Sequence, residues 1–189
     1  MRRTALRGPL ASHADPPHRA HEEGVAAVAA SDPTLSEFSA EWKKYQDQLI
    51  QVIEPLTSEQ LELRAAPNLR SIRDIATHMV GARGRWLHRF LQLGDASYDE
   101  IMTWDRPNMP ARTGTELASG LRRTWELLQS ALPTWGEAEL AQMIEETYHG
   151  ETESASRRWV IWHLIEHDLH HGGELSFSLG MHGLPAPDL

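Results

Sequence analysis

The chain has 189 residues and a mass of 21.3 kDa, enough for one domain around a single core and too little for two ordinary enzyme domains. Hydrophobic residues make up 40% and charged residues 24%, close to globular averages, which excludes wholesale disorder and fibrous repeats. Lys and Arg total 18 against 27 Asp and Glu, a net charge of -9, and that field repels a phosphate backbone, so no nucleic-acid partner is expected.

Residues 1–33 carry Arg2, Arg3, Arg7, Pro16, Pro17 and the histidines His13, His18 and His21. They contain no apolar run of the about 7 to 15 residues that a secretion signal needs. With no periodic apolar face, this stretch reads as a disordered N-terminal extension, and residues 34–189 as the folded domain. Nowhere does an uninterrupted apolar stretch of about 18 residues occur, so no membrane span is expected. The chain has no Cys, which removes disulfides, thiolate nucleophiles and Cys-ligated zinc from consideration and suits a reducing cytoplasm.

From Leu35 the apolar positions Phe38, Trp42, Tyr45, Leu49, Val52 and Leu56 follow at spacings of three and four, one stripe on a first helix that Pro55 ends. Ser71 is an N-cap candidate with Asp74 in the first turn, and Ile72, Ile75, Met79, Ala82, Trp86, Phe90 and Leu93 continue a second helix up to Gly94. His78 lies on the edge of that inward stripe. A Pro- and Gly-containing loop, 106–114, precedes Thr113 and Glu116, a capping-box pair for a third helix that carries Leu117, Leu121, Trp125 and Leu128 and stops at Pro133. Residues 134–153 are ambiguous, with a short helical turn over Glu137 to Ile144 and then an irregular or extended piece. A fourth helix starts near Ser154 or Ser156 and runs through Trp159, Trp162, Leu164, Leu169 and Leu175 to Leu179, with Gly180 as its stop. Four amphipathic helices whose stripes must each be covered predict an all-α four-helix bundle, with long connections between the second and third and between the third and fourth helices.

Eleven histidines are unusual for this length. His163, His167, His170, His171 and Glu174 on the fourth helix fall within one sector about 100° wide. Crowded imidazoles repel when protonated and compete for partners when neutral, so such a cluster is costly unless something accepts their lone pairs. A divalent cation does. The pair His167 and His171, at i and i+4, has the spacing that lets two side chains of one helix reach one ion. Spacing leaves His163 with His167 and His167 with His170 open as alternatives. A third ligand must come from another helix, and His78 is the other histidine on the inner edge of a core helix. His163 and His170 are then candidates for residues that support the ligands, and Glu174 is the best placed carboxylate to orient an imidazole or act as a base, ahead of Glu166 and Asp168. His88 is rotated to another side of its helix, and His149 and His182 fall in loops. Trp86, Trp159 and Trp162 could wall a pocket. Gly172 and Gly173 in mid-helix suggest close approach of a neighbouring element.

Three segments, LSEFSAEWKKYQDQLIQVIEPLTSEQL, SIRDIATHMVGARGRWLHRFL and WHLIEHDLHHGGEL, give the sequence a resemblance to the DinB/YfiT-like family of metal-binding four-helix bundles, over about Thr34 to Leu179. The resemblance implies His78, His167 and His171 as the ligands of one divalent metal. Many members of that family have Arg where Gly172 stands, so no role of that Arg is carried over. Relatives include thiol-dependent S-transferases and isomerases, metal-dependent hydrolases and proteins without an assigned activity. The resemblance therefore implies an enzyme with an open three-histidine site, a low-molecular-weight-thiol S-transferase first and a hydrolase second, with a non-catalytic metal-stabilised protein as the rival. Zinc or nickel suits three imidazoles, and Fe(II) usually brings a carboxylate as well. The expected partner is a small-molecule substrate, a low-molecular-weight thiol first, with a homodimer as the candidate assembly.

Overall fold

The computed structural model describes residues 33–188. The expectation of a disordered extension over 1–33, with His13, His18 and His21, falls outside the described residues except at Pro33, where the first helix begins. The elements in chain order are α1 (Pro33–Ile53), a short α2 (Ser58–Leu61), α3 (Ile72–Gly84), α4 (Gly114–Ala131), a short α5 (Glu137–Ala141), β1 (Met143–Tyr148), β2 (Glu151–Ser156) and α6 (Arg157–Met181). Among the described residues no helix is long and apolar enough to cross a membrane.

The helix starts follow the capping chemistry of the sequence. Ser71 accepts the Asp74 N–H while the Asp74 carboxylate accepts the Ser71 N–H, and Thr113 with Glu116 does the same at α4. Of the two serines available for the fourth helix, Ser156 is the cap and accepts from the Trp159 N–H. At its far end the second helical pattern loosens, since Arg85–Phe90 is π-helical and the Leu91 N–H reaches back to the Trp86 carbonyl.

The protein is predominantly helical, and the all-α expectation needs one correction. Residues 143–156, in part the segment read as irregular, form a two-stranded antiparallel hairpin in which Met143 faces Ser156 and Tyr148 faces Glu151. His149 and Gly150 both have positive φ, 52° and 84°, which is the backbone of a two-residue hairpin turn. Half of the strand residues are exposed Glu, Thr and Ser, and among the described residues only the cross-strand pair Ile144 and Ala155 packs against the core, too little to impose an apolar alternation that could be read in advance.

Tertiary contacts set the helix directions. Trp42 meets Asp168 and, one turn on, Tyr45 meets Gly172, so α1 and α6 run parallel. Trp42 meets Trp125 and Gln46 meets the Leu121 carbonyl, so α4 runs against α1. Arg83 meets Asp168 while His78 meets His171, so α3 runs against α6. Helices α3 and α4 are therefore parallel to each other, and the chain between them must return along their length. That return, residues 91–113, lays Trp104 against Val80 and Gly120 on the inside of the molecule.

Two apolar clusters make the core, one centred on Leu49, Ile53, Ile72, Met79 and Leu117, the other on Leu87, Phe90, Trp125, Leu128 and Leu164. A fully buried ion pair joins the helices between them. Arg83 on α3 donates to both oxygens of Asp168 on α6, at 3.0 and 2.5 Å, and to Gln46 Oε1 at 2.6 Å, and the Trp42 indole N–H completes the carboxylate at 2.7 Å.

Not every position expected to face inward does so. Phe38, Trp162 and Leu169 are exposed, at 59%, 62% and 48%. Of the α6 stripe, Leu164, Leu175 and Leu179 are buried as expected, and Val160 and Ile161 join them.

Candidate metal centre

Capping at Ser71 sets the phase of α3 so that Ile75, Met79 and Val80 point into the core and His78 stands at the edge, facing α6. On α6 the i, i+4 pair His167 and His171 faces back. The three imidazoles meet: ring centroids lie 5.1 Å apart for His78 and His167, 4.8 Å for His78 and His171, and 4.4 Å for His167 and His171. One ring nitrogen from each lies within 4.8 Å of the other two.

Carboxylates fix the orientation of two of the three rings. His78 Nδ1 lies 2.8 Å from Asp105 Oδ2, and His171 Nδ1 lies 2.9 Å from Glu174 Oε2. An ionised carboxylate only accepts, so Nδ1 carries the proton in each ring and Nε2 presents its lone pair. Asp105 is in turn gripped by Arg85, at 2.5 and 2.8 Å. Burial would raise its pKa, but the hydrogen bonds from His78 and Arg85 outweigh that and hold it well below the usual carboxylate range. At Glu174, likewise, burial is outweighed by the His171 hydrogen bond and the pKa is lowered.

Two histidines of α6, His167 and His171, are held neutral by their surroundings. Burial, with His171 and His78 close by, pushes the His167 pKa down to about 3. Burial also lowers His171, partly offset by the hydrogen bond to Glu174. His167 Nε2 lies 3.3 Å from His78 Nε2. Two imidazole nitrogens bound to one tetrahedral ion at about 2.05 Å stand about 3.3 Å apart, so these two nitrogen atoms are spaced as a shared cation requires. The donor set thus fits a divalent cation: nitrogen atoms of three imidazoles, converging, with carboxylates behind two of them. His167 Nδ1 is buried and has no hydrogen-bond partner, so its ring, unlike the other two, has no carboxylate behind it.

The other candidate residues are placed as follows. His163 stacks on Trp159 with centroids 5.0 Å apart and planes 6° apart, and meets the edge of Trp86 at 4.9 Å. Its ring is 6.1 Å from that of His167, beside the cluster and outside it. His170 is exposed, with its ring edge on His171 and Nε2 3.5 Å from Glu174. His88 is engaged at both nitrogens, by the Leu93 carbonyl and Asp99, and His182 reaches the Arg64 carbonyl. Of the carboxylates, Glu166 is exposed and 3.5 Å from His163, and Asp168, considered from the sequence as a partner for an imidazole, is instead consumed by Arg83 in the core. Trp86 and Trp159 do wall a hollow of about 540 Å3 with Phe90 and Met143, whereas Trp162 faces outward. The two mid-helix glycines differ: a side chain at Gly172 would collide with the Tyr45 hydroxyl, while at Gly173 nothing lies within 4 Å.

Asp105 and Arg85 were not singled out in the sequence. Asp105 sits in the segment TWDRPNMP, and only the return of residues 91–113 along α3 brings it to His78. A cleft of about 670 Å3 opens there, lined by Thr77, His78, Trp104, Asp105 and Arg106 among others, so the cluster borders a space of small-molecule size.

Comparison with known proteins bears on the family and the fold. The model of the DinB family matches residues 30–188. A DinB-like protein from Bacillus cereus superposes with a TM-score of 0.61 at 23% identity, over 82% of this chain and 96% of that one. A second, from Bacillus subtilis, gives 0.57 at 16% identity, over 80% and 96%. These two likenesses show the fold. No curated protein matches the sequence.

Proposed function

This chain belongs to the DinB family, and on that footing we propose that its four long helices act as one bundle in which His78, His167 and His171 hold a divalent cation for S-transfer from a low-molecular-weight thiol. The observation that carries the reading is the convergence of two Nε2 atoms at 3.3 Å, with Asp105 and Glu174 accepting hydrogen bonds from Nδ1 of His78 and His171. When bound, the cation supplies a Lewis acid that lowers the pKa of an incoming thiol and holds it for attack.

The residues of the chain supply the rest. Three protein ligands leave room for an exogenous one, which separates a working site from a closed structural one. The chain has no Cys, so the sulfur nucleophile must arrive with a substrate, and zinc or nickel on neutral imidazoles receives it well. Asp105, braced by Arg85, and Glu174 hold the ligand rings in one tautomer and one orientation, so that each Nε2 stays aimed at the same point. With burial keeping His167 and His171 neutral, the site stays ready to bind at neutral pH. The cleft beside His78 receives the electrophile.

The test is to purify the protein without a His tag, load it with zinc or nickel, and offer a panel of low-molecular-weight thiols with chlorodinitrobenzene or an epoxide. Adduct formation that depends on the metal and disappears in His167→Ala is the expected result. Bound metal with every thiol inert, and ester or lactone hydrolysis in its place, would replace S-transfer with hydrolysis.

A further inference from the structure

Four arginines, Arg64, Arg70, Arg73 and Arg106, line the cleft of about 670 Å3 that includes His78. Two of them are committed to the fold. Arg64 donates to the Leu69 carbonyl at 2.6 Å and pairs with Asp74. Arg73 is bonded to Glu62, to the Ser58 carbonyl and to the Arg112 carbonyl. The acids of the same wall are matched in turn, Glu62 by Arg73, Asp74 by Arg64 and Asp105 by Arg85. Among the described residues, Arg70 and Arg106 make no ion pair and no side-chain hydrogen bond. Their positions are not arbitrary. Arg70 also lines a hollow of about 310 Å3 with Glu174, the residue behind His171. Arg106 follows Asp105, the residue behind His78, and also lines a hollow of about 220 Å3 with Trp86.

In a chain of net charge -9, two exposed guanidinium groups that hold no ion pair at one cleft, Arg70 sensing only the charge of Glu174 nearby, make the local field positive. Guanidinium is the side chain best matched to a carboxylate or a phosphate, which it grips with two parallel hydrogen bonds. Since the other charged groups of the wall are matched with one another, these two arginines are the chain's own attraction for an anion at this cleft.

We propose that Arg70 and Arg106 form an anion-recognition subsite, and that the substrate carries a carboxylate or phosphate that docks on them while its reacting end lies at His78, His167 and His171. The location of the reacting end rests on the proposed metal site, whereas docking of the anion does not require the metal. Both guanidiniums act by positioning the substrate.

Isothermal titration of the full chain checks this with inorganic phosphate, glutarate and the neutral glutaramide, using metal-free protein for all three and zinc-loaded protein for the last two. Saturable binding of phosphate or glutarate but not glutaramide by metal-free protein is expected, and whichever anion binds names the source. Replacing Arg70→Gln and Arg106→Gln together should weaken it roughly tenfold or more. Arg122→Gln, whose guanidinium pairs with Glu54 elsewhere, should leave it unchanged. No saturable binding up to about 10 mM, or equal binding by the double variant, overturns the subsite. Because His167→Ala should lose metal yet keep the anion, loss of the metal reading alone leaves anion binding intact, and loss of the subsite alone leaves metal content intact.

Discussion

Each of the three clustered histidines depends on something different. His78 and His171 are oriented by hydrogen bonds to carboxylates, and His167, with no carboxylate behind it, is held neutral by burial. Replacing His78, His167 or His171 with Ala should bring metal content, read by elemental analysis, near zero, because two ligands and solvent hold a cation poorly. His88→Ala should retain full metal, since both of its nitrogens are already occupied elsewhere. Stoichiometric metal in His167→Ala would refute the assignment. The depressed pKa of His167 also sets a pH dependence for the metal-free protein. Unfolded, that histidine takes up a proton near 6.5; folded, it resists protonation down to about 3. Between those values the unfolded state binds more protons, so its contribution is fully present above pH 6.5 and is lost as pH falls toward 3. Urea titrations of metal-free protein over that window should show stability falling with pH, and the slope should shrink in His167→Ala.

Helix α6 serves as the shelf of the site, and its attachment to α1 and α3 decides where His167 and His171 stand. The two adjacent glycines separate local propensity from packing. Gly173→Ala meets nothing within 4 Å and should raise stability by up to about 1 kcal/mol, the helix-interior cost of glycine. Gly172→Ala would drive a methyl into the Tyr45 hydroxyl and should destabilise by about 1–3 kcal/mol as overpacking. Urea midpoints of the two variants should move in opposite directions, and movement in the same direction would show that α6 does not press on α1 there. The Arg83–Asp168 pair is the second attachment. With both side chains fully buried, Arg83→Met strands a carboxylate in the core and should cost about 3–5 kcal/mol. Arg122→Met breaks an exposed pair and should cost no more than about 1 kcal/mol. Similar small losses from both would mean that Asp168 finds water.

Across the whole molecule, the three clustered histidines come from two helices that run against each other, so a cation bound to all three would cross-link α3 to α6 as well as form a reaction centre. A ligand that binds only the folded state at about a thousand times its Kd stabilises by about 4 kcal/mol. The melting temperature should therefore climb with free zinc or nickel concentration in the intact chain and stay flat in His171→Ala. A flat response in the intact chain would show that the folded state binds neither metal in preference to the unfolded chain.

Much of this arrangement is local and can be read along one strand of sequence. Capping at Ser71 and Thr113, the stripes of the long helices and the common sector of His167 and His171 all follow from side chains within a few turns of each other, because helical periodicity and end chemistry involve only near neighbours. The same locality singles out His78 as an edge residue of an inward face. It cannot distinguish Gly172 from Gly173, or show that Trp162 and Leu169 face outward while Asp168 is buried, since those depend on which helix lies opposite. The hairpin at 143–156 was hidden for a related reason: its strands are mostly exposed and carry no buried alternation. Asp105 shows the limit most plainly. Its place behind His78, 27 residues away in sequence, exists only because α3 and α4 run parallel and the connecting chain must travel back alongside them, and a constraint on helix direction is written in tertiary packing rather than in any local run of residues.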